Sequence, residues 1–275
     1  QSFCYSRGVD SKPPTQKPFL SVIVPAYRCP TIVHDLQAID QYLQALSIPY
    51  ELICVVDGQT NKDQTITLAK RATKFGVQVF SYPDNQGKGY AIRYGMARAK
   101  GNLIAFIDAG SDLNARGLGL ALEHLKWYEA DIIIGSKRHK ASKINYPFQR
   151  RILSWIVQRA TRFIFGFNVS DTQTGLKLFR REVLDDVLPR LLVKRWAFDV
   201  EILAVAHRLG YQHIYESPIE LQFNGMSTLN YHSVINFAID YLAIIYRIYF
   251  LRYYDDAHQS DWEKDPQLAL KNHKK

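Results

Sequence analysis

Leu103-Ile104-Ala105-Phe106-Ile107-Asp108-Ala109-Gly110-Ser111-Asp112 is an apolar run that stops abruptly in acidic and small residues. Five consecutive apolar side chains suit a strand buried on both faces. Short, nearly continuously apolar runs rich in Val and Ile recur at Leu20–Pro25, Glu51–Val56, Val77–Tyr82 and Asp131–Ile134. Helical spacing fills the gaps, at roughly 31–46, 62–75, 87–99 and 114–129. This alternation predicts an α/β fold, Rossmann-like, with a mostly parallel sheet flanked by helices. Ligands of such sheets bind beyond the carboxyl ends of the strands. The residues that follow each strand are therefore the first candidates for chemistry.

Further along, helical periodicity runs from Phe148 to Phe165, followed by a polar turn over Ser170–Gly175. A helix is expected around 196–209, a strand pair around 211–223 and a long apolar helix from Val234 to Leu251. The expected organisation is a flexible leader at 1–19, a main domain at 20–230, a membrane-interface or packing helix at 231–254 and a flexible tail at 255–275. Residues 1–19 hold no apolar run long enough for a signal peptide. Apolar residues make up 47% of the 275 and charged ones 22%, which excludes wholesale disorder. Cys4, Cys29 and Cys54 lack C-x-x-C spacing. They exclude a disulfide scaffold and a cysteine-built zinc site, and point to a reducing compartment.

Two strand exits carry acids, in Val55-Val56-Asp57-Gly58 and Ile107-Asp108. A carboxylate there costs burial energy unless it is paired or liganded. Asp57 alone reads equally well as a turn or helix cap. Asp108 and Asp112, in one Gly/Ser turn, can converge on a hard cation. Mg²⁺ is commonly held by one or two carboxylates plus substrate phosphates, so Mg²⁺ or Mn²⁺ is the expected cofactor. Asn85-Gln86-Gly87-Lys88-Gly89 opens a helix, where glycine allows close approach and Lys88 sits at an end that favours anions. Neither P-loop spacing nor a G-x-G-x-x-G after the first strand is present, which disfavours a P-loop NTPase and a dinucleotide dehydrogenase. Net charge is +9, and Lys137 to Arg162 holds eight basic residues with no acid. Such a patch suits a phosphate-bearing partner. Nucleic acid ranks last, because no RNP-like aromatic pattern accompanies it.

Seven segments occur in a meaningful order: Val24-Pro25-Ala26-Tyr27, Val55-Val56-Asp57-Gly58, Asn85-x-Gly87-Lys88-Gly89, Ile107-Asp108-Ala109, Gly135-Ser136-Lys137, Asp171-Thr172-Gln173-x-Gly175 and Phe198-Asp199-Val200-Glu201. Together they resemble the inverting glycosyltransferases of GT-A fold, and most of all the dolichol-phosphate mannose synthase and polyprenyl-phosphate glucosyltransferase branch. The resemblance covers roughly residues 20–225. It implies transfer of a hexose from a GDP- or UDP-sugar to a polyprenyl phosphate, with a divalent metal. It also implies that Pro25, Tyr27 and Asp57 lie around the nucleoside, with Lys88 on the donor side and Asp108 on the metal and diphosphate. Lys137, Arg138, Arg150 and Ser154 are implied around the lipid phosphate. Asp171 and Asp199 are candidate catalytic residues, either touching a sugar hydroxyl or bracing an arginine; an Asx-turn explains Asp171 equally well. The chain departs from the branch at four places: Arg28-Cys29 replaces Asn-Glu, Asp57 stands without a second acid, Asp108 and Asp112 replace Asp-x-Asp, and Phe223–Thr228 lacks basic residues.

On a helical wheel Arg151, Trp155, Gln158, Arg159 and Arg162 share one arc, and Phe148, Ile152, Ile156, Ala160 and Phe163 another. Arginine with tryptophan on one face suits a membrane interface. Val234–Leu251 is apolar apart from Asn236, Asp240 and Arg247, which share one narrow stripe. A bilayer span needs about 20 apolar residues, and charges inside it are expensive. The expectation is a peripheral, monotopic protein on the cytoplasmic face of a membrane, with a second copy or a membrane partner subunit as an open alternative. Two other functions are weighed: transfer to a soluble glycan or protein, and silent nucleotide-sugar binding.

Overall fold

Each apolar run finds a neighbour in register, and seven strands join in one sheet. The computed structural model describes residues 17–59, 63–110, 113–145, 159–167, 169–222 and 231–256. In chain order the elements are β1 (Leu20–Ala26), α1 (Ile32–Ala45), β2 (Tyr50–Val56), α2 (Thr65–Arg71), β3 (Gln78–Ser81), α3 (Lys88–Met96), β4 (Leu103–Ile107), α4 (Arg116–Trp127), β5 (Ile132–Ser136) and β6 (Lys143–Asn145). Then come helical residues 159–165 (α5), β7 (Leu176–Arg180), α6 (Arg181–Val187), α7 (Phe198–Arg208), β8 (Ile214–Pro218), β9 (Glu220–Gln222) and α8 (Tyr231–Tyr249). The sheet order is β3-β2-β1-β4-β7-β5-β8. Only β7 runs against its neighbours.

The first five strands and four helices lie within a few residues of their expected places. Two later expectations are corrected. β7 was not anticipated, because Lys177 interrupts its apolar run, yet Lys177 is fully buried. Two strands do fall within 211–223, but they do not pair with each other: β8 pairs with β5 at the sheet edge, and β9 pairs with β6 in a separate two-stranded sheet. Only Ile219 separates β8 from β9, fewer than the two residues a tight hairpin loop needs.

Alternation of side chains along the strands fills two cores. Ile23, Ile53, Val55, Ile104 and Phe106 face α3, α6, α7 and α8. Val22, Val24, Leu52, Cys54, Val56 and Ile107 face α1, α2 and α4. Full burial of each such side chain is worth about 1.5–3 kcal/mol. The carboxyl ends of β1, β2, β4 and β5 lie on one edge of the sheet, and Tyr27, Asp57, Asp108 and Lys137 follow them directly.

One face of α8, with Phe237, Tyr241, Ile244 and Ile248, packs on the first core. Ile235, Ile239, Leu242 and Tyr246 are exposed. Below α8, Tyr254 is fully buried and its hydroxyl donates to Glu201 at 2.7 Å. The same carboxylate accepts from the backbone N–H groups of Leu192 (3.1 Å) and Val193 (2.9 Å). Asp255, expected to begin a tail, instead takes both carboxylate oxygens to Arg208, at 2.6 and 2.7 Å. α5 touches α8 through the Thr161 and Tyr241 hydroxyls, 3.0 Å apart. Arg159 and Arg162 are exposed on it, and Phe163 is 90% exposed. The rest of the helix expected over 148–165 lies outside the described residues. Among the described residues no helix is long and apolar enough to cross a membrane.

Candidate functional site

Asp57 leaves β2 and folds the neighbouring turn around itself. Its Oδ1 accepts from the Tyr82 hydroxyl (2.9 Å) and the Gln86 N–H (2.8 Å), and its Oδ2 from Asn85 Nδ2 (2.8 Å) and the Gly87 N–H (2.9 Å). Both oxygens are thus occupied by the turn that opens α3. The buried Tyr82 phenol, beside this carboxylate, is pushed well above its ordinary range by burial and by the Asp57 charge. Gly87 at φ +106° has no room for a side chain, since a Cβ would stand 2.6 Å from the Lys194 carbonyl oxygen. The 194–196 segment is therefore pressed directly onto the turn, and Lys194 O accepts from the Tyr90 N–H at 3.0 Å.

At the first turn of α3 begins a chain of alternating charges. Lys88 Nζ lies 2.8 Å from Asp108 Oδ2 and 3.3 Å from Asp199 Oδ2. The other Asp199 oxygen takes a short hydrogen bond from Lys177 Nζ, which also donates to the Thr174 carbonyl at 2.9 Å. Two lysines and two aspartates form a neutral row. Burial alone would depress Lys88, but Asp108 and Asp199 raise it above its ordinary value. For Lys177 burial prevails over Asp199, and its ammonium is held below the usual lysine range. Burial would lift Asp199, yet Lys177 and Lys88 keep it below the carboxylate range. The rings of Phe106 and Trp196 each lie 5.6 Å from Lys88 Nζ, where a cation is attracted to a π-face.

A second cluster follows β5. Fully buried Asp171 accepts from the Lys137 N–H (3.0 Å) and pairs with Lys137 Nζ at 3.4 Å. It also takes the Gln173 N–H at 3.3 Å, which is an Asx-turn. Glu216, reaching over from β8, anchors Ser170 and Asp171 through their N–H groups at 2.8 and 3.0 Å. Arg138 is exposed beside Lys137. Because β7 is antiparallel, the 171–175 loop arrives at the same edge as Asp108, whose N–H donates to the Gly175 carbonyl at 2.8 Å. A Cβ on Gly175 would sit 2.0 Å from Asp108 Oδ2, so only glycine leaves that carboxylate in place.

The expected residues thus fall into a row through Lys88, Asp108 and Asp199, with Asp57 holding the turn that begins it, and a pair, Lys137 and Asp171, joined to the row by the 171–175 loop. Pro25 is the penultimate residue of β1. Tyr27, just beyond, is 43% exposed, with the Arg28 guanidinium 5.1 Å from its ring centre. Asp199 braces lysines where an arginine was expected. Asp112, Arg150 and Ser154 lie outside the described residues. Sequence reasoning missed Lys177, Glu216 and Asp35. The last is buried on α1 and accepts the Gly110 N–H at 2.9 Å, fixing the turn after Asp108. A charged letter on the apolar face of α1 was the available signal for it. The residues present fit a divalent metal at Asp108: its Oδ1 is buried and has no hydrogen-bond partner, and carboxylate oxygen is the ligand such ions prefer.

Residues 21–188 match the family described as Glycosyl transferase family 2. The chain is 30% identical over 262 residues to a dolichyl-phosphate beta-glucosyltransferase of Saccharomyces cerevisiae, covering 86% of this chain and 77% of that protein. It is 28% identical over 255 residues to the same-named enzyme of Dictyostelium discoideum, covering 87% and 77%. With the human dolichyl-phosphate beta-glucosyltransferase it shares 34% over 204 residues, 68% of this chain and 62% of that one. Among solved structures, glucosyl-3-phosphoglycerate synthase of Mycobacterium tuberculosis, in complex with Mn²⁺, UDP and glucosyl-3-phosphoglycerate, superposes with a TM-score of 0.59 at 18% identity, over 86% and 85% of the two chains.

Proposed function

The chain belongs to glycosyl transferase family 2 and has the GT-A fold, and from that premise we propose that it moves glucose from UDP-glucose to a dolichyl-type polyprenyl phosphate at the cytoplasmic face of a membrane. The observation that carries this reading is the agreement between two relatives aligned over more than four-fifths of this chain, both of them dolichyl-phosphate beta-glucosyltransferases. They favour glucose over mannose. Uridine is favoured over guanosine by structural neighbours solved with UDP. A β-linked product from an α-linked nucleotide sugar requires inversion, hence a single displacement.

The chemistry needs little from a general base. A phosphomonoester is largely dianionic at neutral pH, since its second pKa is about 6, so the acceptor is already a nucleophile and needs orientation. The departing diphosphate is what must be stabilised. A divalent ion held by Asp108, with Asp112 as the further carboxylate, would supply Lewis-acid stabilisation there. Lys88, kept fully charged by its two aspartates, adds a fixed positive charge beside Asp108. Asp199 acts as a positioning residue for Lys88, and Asp57 shapes the turn that presents it. Pro25 and Tyr27 border the nucleoside. Lys137, set by Asp171, closes on the acceptor phosphate with Arg138, Arg150 and Ser154, where planar guanidinium groups grip phosphate oxygens in pairs. The exposed face of α8 and Phe163 rest on the lipid surface.

A matrix of radiolabelled UDP-glucose, UDP-N-acetylglucosamine and GDP-mannose against dolichyl phosphate tests the reading. Lipid-extractable, Mn²⁺- or Mg²⁺-dependent label from UDP-glucose is expected. Preference for GDP-mannose, or transfer to soluble acceptors alone, overturns it.

A further inference from the structure

The polar stripe of α8 is half-buried and borders a cavity. Asn236, Asp240 and Arg247 turn toward the segment before α7 and line an open cavity of about 210 Å³ with Lys194, Arg195 and Ile239. Three cations and one carboxylate give that lining a formal charge of +2. Burial raises the Asp240 carboxyl, against the pull of Arg195 and Arg247. Beside the cavity the exposed stripe of α8 begins, with Ile239 at 59% and Leu242 at 65% exposure. Apolar surface next to a recessed cationic pocket is the arrangement that admits an acyl or isoprenoid chain outside and its head group within. The reverse wall of the pocket is the Lys194–Trp196 segment, which carries Tyr90 and flanks Lys88.

We infer that this pocket binds the phosphomonoester head group of a membrane lipid. A monoester carries a charge of about −1.5 to −2 at neutral pH, matching the lining, whereas a phosphodiester carries only one negative charge. The Asn236 amide supplies neutral donors and the two arginines forked ones. The pocket is separate from the Lys137 cluster and would hold a lipid phosphate one segment away from the donor site. The inference rests on the reading that this enzyme works on lipid phosphates at a bilayer.

Vesicle flotation of the full chain separates the two. Phosphatidylcholine vesicles would contain either phosphatidic acid, a monoester, or phosphatidylglycerol, a diester, at matched surface potential. Dolichyl phosphate serves as a third arm and free inorganic phosphate as competitor. The parent should prefer phosphatidate, and dolichyl phosphate with it, by about tenfold over phosphatidylglycerol. Lys194→Gln with Arg195→Gln should bring that preference within twofold, with the melting temperature and far-UV circular dichroism kept as a check of folding. Arg247→Gln, on α8 alone, should lower it in the same sense. Arg159→Gln with Arg162→Gln on α5 should weaken binding to both anionic lipids alike and preserve the ratio. No preference in the parent, or an unchanged ratio in the pocket variants, overturns the inference. Displacement by inorganic phosphate at the concentration of exposed lipid phosphate also overturns it, since the site would then take the free anion. A parent that selects phosphatidate yet makes no lipid-linked glucose would refute the proposed function and leave the pocket standing.

Discussion

Asp199 carries two lysines, so a change at this one carboxylate reaches both. Asp199→Asn would leave the fully buried Lys177 without its counter-charge, and breaking a buried pair costs about 3–5 kcal/mol. Lys177→Met keeps Asp199 paired with Lys88 and should cost less; urea unfolding of both variants measures the order. The folded pKa of Asp199 lies below its unfolded value of about 3.9. Its contribution is therefore present above about pH 4 and is lost as pH falls through the folded value. The stability gap between parent and Asp199→Asn should narrow below pH 4, and a constant gap would detach it from this ionisation. At the neighbouring carboxylate, Asp108→Asn should remove the Mn²⁺ dependence of UDP binding in calorimetry. Gly175→Ala should weaken that binding about tenfold or more by pushing Asp108 aside, and parent-like affinity in both would exclude the site. Asp57 and Asp108 were legible in the sequence because acids at the exit of an apolar strand are conspicuous. Lys177 and Glu216 were not, because a buried lysine or a carboxylate that anchors a loop backbone is written in the same letters as a surface one, and the partners, Asp199 and the 170–171 N–H groups, lie far along the chain.

Elements were legible in proportion to how cleanly one periodicity governed them. β1, β2 and β4 are apolar on both faces and could be nothing else of that length. β7 hides its strand character behind Lys177, whose charge is matched only once α7 packs above it. α8 obeys two demands at once, with Ile244 and Ile248 sealed against the core and Leu242 and Tyr246 outward. Its sequence therefore announced an apolar helix but not which face was covered. Replacing outward residues should leave the core untouched: Leu242→Glu with Tyr246→Glu is expected to keep the melting temperature within about 2 °C. The same variant should lose most binding to neutral phosphatidylcholine vesicles. Full retention of that binding would show that another surface meets the lipid.

Across the whole molecule, the fold divides at β7 into a half read almost directly and a half assembled by tertiary contact. The parallel β3-β2-β1-β4 half supplies Asp57, Lys88 and Asp108 within a short stretch of chain. The other half returns late segments to the same edge, the 171–175 loop through an antiparallel strand and the 192–196 segment from beneath α7. Excess positive charge is concentrated at 137–162, so adhesion to anionic vesicles should fall as salt rises and the Debye length shrinks from about 10 Å at 0.1 M to 3 Å at 1 M. A residue of binding should survive through apolar insertion. Sedimentation at both ionic strengths checks it, and complete release at high salt would assign the interaction to charge alone.

The buried Tyr254 hydroxyl has a consequence in time. It secures Glu201, Glu201 secures the backbone at 192–193, and the next residue holds the start of α3 through Lys194 O and Tyr90. A nascent chain that has already emerged through Asp108 therefore carries Pro25, Tyr27, Asp57, Lys88 and Asp108 but lacks Asp199, which holds Lys88, and the clasp that sets the α3 turn. At about 5–20 residues per second, ribosomes need roughly 10–30 s to travel from Tyr90 to Tyr254, and for that interval the growing polypeptide carries a candidate donor site that is only partly assembled. A chain stopped after Leu251 would remain in that state, and its affinity for UDP should fall well below that of the full chain. Synthesis itself thus delays closure of this turn until the residues that follow α8 have been made.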